Sequence, residues 1–269
     1  KDMNISADID PAQTDDDFSG KQFGVVTWTG NGATGRAITG LGFQPDFIWF
    51  KDRTQAFSHR LYDTSRGIAS NGGKRLFSNT TGAENDQTSG QDISAVGTDG
   101  FTLGASDANY TNYNTDENVA WCWRANGGTT ASNSDGSITS TVQANTKAGF
   151  SIITYTGTGS NATIGHGLTK APEFIIAKNR TDSDGTSNWT IYHKSMTANY
   201  YTTFTNSVFS DNNTFWNDTE PTTSVISIGT NNRVNGSSKN IVCYAWHSVE
   251  GYSKFGSFVK QQMLQKTGK

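Results

Sequence analysis

Thirty-one residues, Phe23 to Arg53, recur without a gap at Phe150 to Arg180, and 12 of the 31 aligned positions are identical. The identities are Phe23/Phe150, Thr27/Thr154, Thr29/Thr156, Gly30/Gly157, Gly32/Gly159, Gly40/Gly167, Leu41/Leu168, Pro45/Pro172, Phe47/Phe174, Ile48/Ile175, Lys51/Lys178 and Arg53/Arg180. A repeat of this length predicts that one folding unit is used twice. At 269 residues each copy has room for its own core. The shared positions are those of turns and apolar strands, not of a catalytic set.

The mix of 29 Gly and only 4 Pro, 12% aromatic residues and 17% charged residues suits an all-β chain with many turns. The expectation is two tandem homologous antiparallel β-sandwich domains, of jelly-roll or lectin-like type. An N-terminal arm spans 1–20, the first sandwich 21–128, a linker 129–135, the second sandwich 136–257, and a tail with a short helix 258–269. A net charge of -3 gives no footprint for nucleic acid. Apolar runs of four or five residues fall far short of the ~20 that a membrane span needs, so a soluble chain without membrane insertion is expected.

Within the repeat, Phe23 to Trp28 and Phe150 to Tyr155 carry apolar groups on both faces and are expected to lie inside a sheet, each ending in a Gly-x-Gly tight hairpin. Pro45 and Pro172 open second strands, Asp46 to Lys51 and Glu173 to Lys178, whose unbroken apolar runs predict burial on both sides. His59 to Asp63 and Trp189 to His193 align on Tyr62 and Tyr192. His59 and Asp63 share a strand face about 13 Å apart, which excludes an acid–base pair. Asp99 to Gly104 and Ser224 to Gly229 form a further matched strand. Cys122 and Cys243 sit in equivalent strands beside Trp123 and Trp246, and are expected to be buried thiols.

Long polar stretches, Ser65 to Gly97, Ala105 to Asn118 and Thr197 to Thr223, are expected as surface loops where binding would reside. Tyr110 and Tyr113 among amides, with Trp216, are the candidate sugar-stacking residues. Asp8, Asp10, Asp15, Asp16 and Asp17 could supply oxygen ligands to calcium, but their spacing matches no loop of known geometry and a solvated acidic linker is the better reading, so no cofactor is expected. His59, His166, His193 and His247 are scattered, and motifs for nucleophilic, phosphate-binding or zinc chemistry are missing. No catalytic residue is expected. Ile5 and Ile9 in the arm, and Phe258, Val259, Met263 and Leu264 in the tail, are candidate assembly contacts.

The pattern TGNG, GLGFQPDFIWFKDR, HRLYD, TDGFTLG and VAWCW, followed by DGSITSTVQANTKAGFSIITYTGTG, FWNDT and VEGYSKFGS, resembles a repeated module of tailed-phage virion proteins, notably those of marine and cyanobacterial phages. The resemblance covers roughly Phe23 to Ser257. In longer relatives VEGYSKFGS opens a further unit, whereas here FVKQQMLQKTGK follows. The resemblance implies a lectin-like or SPRY-like sandwich and a non-enzymatic structural role on the virion surface, as capsid decoration or tail fibre, with other virion proteins and copies of itself as partners. A module that binds host-surface glycans is the alternative, and a glycan-degrading enzyme a third.

Overall fold

A computed structural model describes residues 18–69, 72–86, 92–104, 111–182 and 186–257. The first half carries β1 (Phe23–Thr29), β2 (Ala37–Thr39), β3 (Phe47–Asp52), β4 (Arg60–Asp63), β5 (Ile68–Ala69), β6 (Gly72–Phe77), β7 (Asn85–Asp86), β8 (Ile93–Gly97), β9 (Gly100–Leu103) and β10 (Glu117–Trp123). The second carries β11 (Ala131–Asn133), β12 (Ser140–Asn145), β13 (Phe150–Thr156), β14 (Ala162–Gly165), β15 (Phe174–Asn179), β16 (Thr190–His193), β17 (Tyr200–Thr203), β18 (Asn206–Asp211), β19 (Val225–Ile228) and β20 (Asn240–Trp246). Two single-turn helices, α1 (Asn213–Trp216) and α2 (Asn232–Asn235), complete it. Asn212 and Asn231 start them, each side chain accepting a hydrogen bond from the backbone N–H two residues on.

The chain is all-β, and its strands pair antiparallel in two large and two small sheets. One large sheet runs β1-β10-β3-β4-β6-β5, with β7 on β6; the other runs β11-β12-β13-β20-β15-β16-β17-β18. In the first, Trp123 stands opposite Phe23 and Phe47; in the second, Trp246 stands opposite Phe150 and Phe174. The small sheets are β2-β9-β8 and β14-β19. No helix among the described residues is long and apolar enough to cross a membrane.

Alternation along the central strands builds three cores. Ile48, Phe50 and Cys122 face the small sheet of the first half, together with Ile38, Phe101 and Leu103. Cys243, Ala245 and Ile175 face the second small sheet and the helices, with Ile164, Ile226, Phe215 and Trp216. The opposite faces of the two large sheets close on each other: Phe47, Leu61 and Leu76 meet Phe150, Ile152, Trp189, Tyr244 and Trp246. Each large sheet is therefore covered on both sides, and the halves share their central core. Both cysteines are free and buried, and burial pushes the thiols up, Cys243 to about 12.

Several expectations change. The 129–135 segment holds β11, hydrogen-bonded to β12, so part of the expected linker belongs to a sheet. The stretch Ser65 to Gly97 contains β5 to β8, and Thr197 to Thr223 contains β17, β18 and α1. Leu76 of β6 and Phe215 of α1 each reach a core, which ties these stretches to the fold. β13 is interior as expected, but among the described strands β1 pairs with β10 alone and ends its sheet. Nor does Gly30-Asn31-Gly32 close a hairpin, because β1 and β2 lie in different sheets. Asn112 instead bonds the turn through Asn31 and Ala33, and a Cβ on Gly30 would lie 1.8 Å from the Tyr113 carbonyl oxygen. The expected terminal helix, 258–266, lies outside the described residues.

A polar clamp borders the shared core. Asp63 accepts hydrogen bonds from the Arg66 guanidinium and, at 2.5 Å, from the Tyr244 hydroxyl of the other half. Arg66 also reaches Glu84 at 2.8 Å, and Glu84 binds Arg180 of the other half through two bonds of 2.8 and 2.9 Å. Burial alone would raise the Glu84 carboxyl, but Arg180 and Arg66 outweigh it and hold the group below its ordinary value of 4.5. A depressed folded value gives stabilisation that is complete above the unfolded value and lost as pH falls through the folded one. Glu84→Gln should therefore flatten the acid limb in urea melts taken between about pH 6 and pH 3, with variant and parent converging at the acid end. Parallel curves would show that Glu84 carries no linkage.

Candidate functional site, an aromatic cleft between the sheets

Where the shared core meets solvent it opens into a cleft of about 420 Å³. The strand ends Phe23, Trp123, Phe174 and Trp246 form one wall, Phe47, Trp49 and Ile176 the floor, and Phe204, Tyr252, Ser253 and Phe255 the rim. Nine of these eleven residues are aromatic. The register explains the concentration: the directly opposed pairs Phe23–Trp123, Phe47–Trp123, Phe150–Trp246 and Phe174–Trp246 pack with 4.9 to 5.6 Å between centroids.

The rim comes from two loops. The chain after β20 turns back on itself, with Val249 and Ser253 exchanging backbone bonds of 3.1 and 2.8 Å, and this lays Phe255 on Phe174 at 5.8 Å. On the other side Phe204, at the turn between β17 and β18, packs on Trp49 and Trp189 at 5.6 and 6.0 Å yet stays 39% exposed. Trp49 donates its indole N–H to His59 Nδ1 at 2.9 Å, and burial, with Lys51 nearby, lowers the imidazole below its usual value. Burial pushes the Tyr252 hydroxyl up to about 12. Hydrogen-bonding groups are thus scarce in the cleft, and the ring faces are its main offering.

A second groove of about 490 Å³ is lined by Ile191, His193, Met196, Tyr200, Phe209 and the chain at Gly256 and Ser257. Phe209 is 59% exposed, the most of any large apolar side chain in the described part. His193 Nδ1 accepts from the Ser195 N–H at 3.1 Å, and burial, then Lys194, lowers its imidazole below the usual value.

Of the three residues expected from sequence to stack on sugar, the described ones are Tyr113 and Trp216. Tyr113 is exposed at its loop. Trp216 is buried, packed edge-on to Tyr192 at 6.0 Å, and has no face for a sugar, because α1 turns it into the core. Tyr110, the carboxylates Asp8, Asp10, Asp15, Asp16 and Asp17, and Ile5, Ile9, Phe258, Val259, Met263 and Leu264 lie outside the described residues. His59 and Asp63 are engaged separately, with Trp49 and with Arg66 and Tyr244. His166 is enclosed, bonded to the Thr222 carbonyl and the Leu168 N–H. Among the described residues no group of three or more His, Cys, Asp or Glu side chains is placed to hold a metal.

The model of a domain of unknown function, DUF7483, matches residues 18–265. The chain belongs to the DUF7483 family. That match takes in both halves, the shared core and every residue of the cleft, so the two large sheets and the space between them are one family unit. No curated protein and no solved structure matches this DUF7483 chain.

Proposed function

We propose that this chain is a non-enzymatic structural component of a tailed-phage virion, as capsid decoration or tail fibre, and that its aromatic cleft seats an apolar segment of a neighbouring particle protein. The observation that carries the binding role is the cleft itself, with nine aromatic rings in a space of about 420 Å³. Buried aromatic anchors dominate protein–protein contacts, and a cleft this poor in polar groups favours an apolar side chain over a sugar, whose hydroxyls would lose their bonds to water. Assignment to a virion rests on the motif resemblance. The like strand orders β1-β10-β3-β4 and β13-β20-β15-β16 support reading the halves as two copies of one unit, and a symmetric array of chains as the working form.

Phe204→Ser, at a half-exposed rim position, should leave the melting temperature close to the parent's while lowering incorporation into particles assembled in infected cells. Absence of the protein from purified particles would remove the virion reading. Full incorporation of the variant would remove the cleft's part in it. Glycan recognition keeps one supporting observation, the exposed ring of Tyr113, at 43%. It predicts saturable binding to host-surface glycans that Tyr113→Ala abolishes.

A further inference from the structure

The two halves place matching polar corners at the ends of matching strands, and they differ in one charge. In the second half Asn179, the last residue of β15, accepts hydrogen bonds on Oδ1 from the N–H groups of Thr181 and Asp182, at 2.9 and 3.3 Å. Lys239, immediately before β20, places its ammonium 2.6 Å from Asp182 Oδ1, and Asn179 Nδ2 donates to the other oxygen at 2.9 Å. One carboxylate thus meets one cation.

In the first half Asp52, the last residue of β3, makes the same turn, its Oδ1 accepting from the N–H groups of Thr54 and Gln55 at 2.8 Å each. Asp116, immediately before β10, stands where the second half has Lys239. Gln55 bridges the two carboxylates, its backbone N–H on Asp52 Oδ1 and its side-chain Nε2 on Asp116 Oδ1 at 3.4 Å, and burial together with the Asp52 charge raises the Asp116 carboxyl above its usual value. Both are buried, at 1% and 3% exposure, and no ion pair to either is found among the described residues. Among the described residues Asp52 Oδ2 and Asp116 Oδ2 have no hydrogen-bond partner.

A third oxygen joins them. Asn118 is fully buried and stands directly opposite Asp52 across the ladder, on the same sheet face. Its Nδ2 is tied to the Asp116 carbonyl at 2.9 Å, which fixes the amide's orientation and leaves Oδ1 without a partner among the described residues. Burying such groups unpaired is costly. A proton shared by the carboxyls would bridge those two alone and leave the Asn118 oxygen orphaned, whereas a cation can bind all three.

We propose that Asp52, Asp116 and Asn118 bind a Ca²⁺ ion, which does in the first half what the Lys239 ammonium does in the second. The donor set is oxygen only, which suits a hard cation, and the flexible geometry of Ca²⁺ allows water to complete its shell, while Gln55 Nε2 donates to Asp116 Oδ1 at 3.4 Å and steadies that carboxylate. This site is separate from the cleft and does not depend on its role.

The test uses the full chain, stripped with chelator and returned to chelator-free buffer. Titration with CaCl₂ in a calorimeter should show saturable binding, and millimolar CaCl₂ should raise the melting temperature by several degrees. Asp116→Asn should weaken the binding by at least about tenfold, since ligand charge tunes calcium affinity. Asp116→Lys copies the second half; it should melt near the calcium-loaded parent without any calcium and give no heat on titration. Absence of heat and of any shift in the parent overturns the proposal, as does a calcium shift that persists undiminished in both variants, which would place the ion elsewhere. A calcium-insensitive parent that gains stability on acidification would instead identify a shared proton.

Discussion

Expressed separately, residues 18–128 and 129–257 should each fail to reach a monomeric native state. Each piece would keep its outer core but turn the inner face of its large sheet to water. On the second piece alone that face carries Phe150, Ile152, Trp189, Tyr244 and Trp246. Full burial of a large apolar side chain stabilises by roughly 1.5–3 kcal/mol, and a whole domain retains only about 5–15 kcal/mol, so five or more uncovered side chains exceed the margin. Size-exclusion mass, heat-unfolding traces and binding of a hydrophobic dye would report the result. Aggregates or dye-binding, non-cooperative species are expected for each piece, and one sharp transition for the whole. A half that melts cooperatively as a monomer would show that its inner face needs no cover.

Asp63→Ala should be the most damaging single change in the polar clamp, costing about 3–5 kcal/mol, the usual penalty for breaking a buried pair from one side. The carboxylate receives the Arg66 guanidinium, the Arg66 backbone N–H at 2.7 Å and the Tyr244 hydroxyl. Among the described residues, its removal leaves the buried guanidinium with Glu84 as its one remaining carboxylate and the phenol without its acceptor. Tyr244→Phe should cost less, about 1–2 kcal/mol, because donor and demand leave together. The double variant should then cost clearly less than the sum, as expected for groups in direct contact. Additive losses in denaturant melts would mean that Asp63 and Tyr244 act independently.

The strands were legible in the sequence because their signals are local. Pro45 and Pro172 ahead of apolar runs, and the apolar runs around Trp123 and Trp246, suffice to locate β3, β15, β10 and β20. What covers each strand was harder to read. Phe47 and Trp49 alternate with Ile48 and Phe50, which shows two apolar faces but does not name the partner of either. Matching the copies emphasises what they have in common, while the shared core consists of what each offers the other. The candidate site was missed for the same reason: Trp49, Phe174, Phe204 and Phe255 are far apart in the chain and converge only when the large sheets close. Trp216 misled because its neighbours Asn217 and Asp218 are polar, yet one helical turn is enough to point an indole inward. The Asp116 and Lys239 exchange was visible once the copies were aligned on Trp123 and Trp246; its meaning depended on knowing that Asp52 and Asn118 lie beside it.

Closure of one large sheet on the other also sets a timetable. Phe47 lies early in the chain and stacks on Tyr244, 4.2 Å away and near the end of the last strand. During synthesis at about 5–20 residues per second, the first sheet must wait several seconds or more with its inner aromatics unsatisfied before their partners emerge. Contacts so distant in sequence slow folding, because the chain closes a long loop before it gains the reward. The interval after the first sheet forms and before β20 docks is therefore when this chain is most exposed to mispairing, and a second nascent copy offers the same inner face as the correct partner.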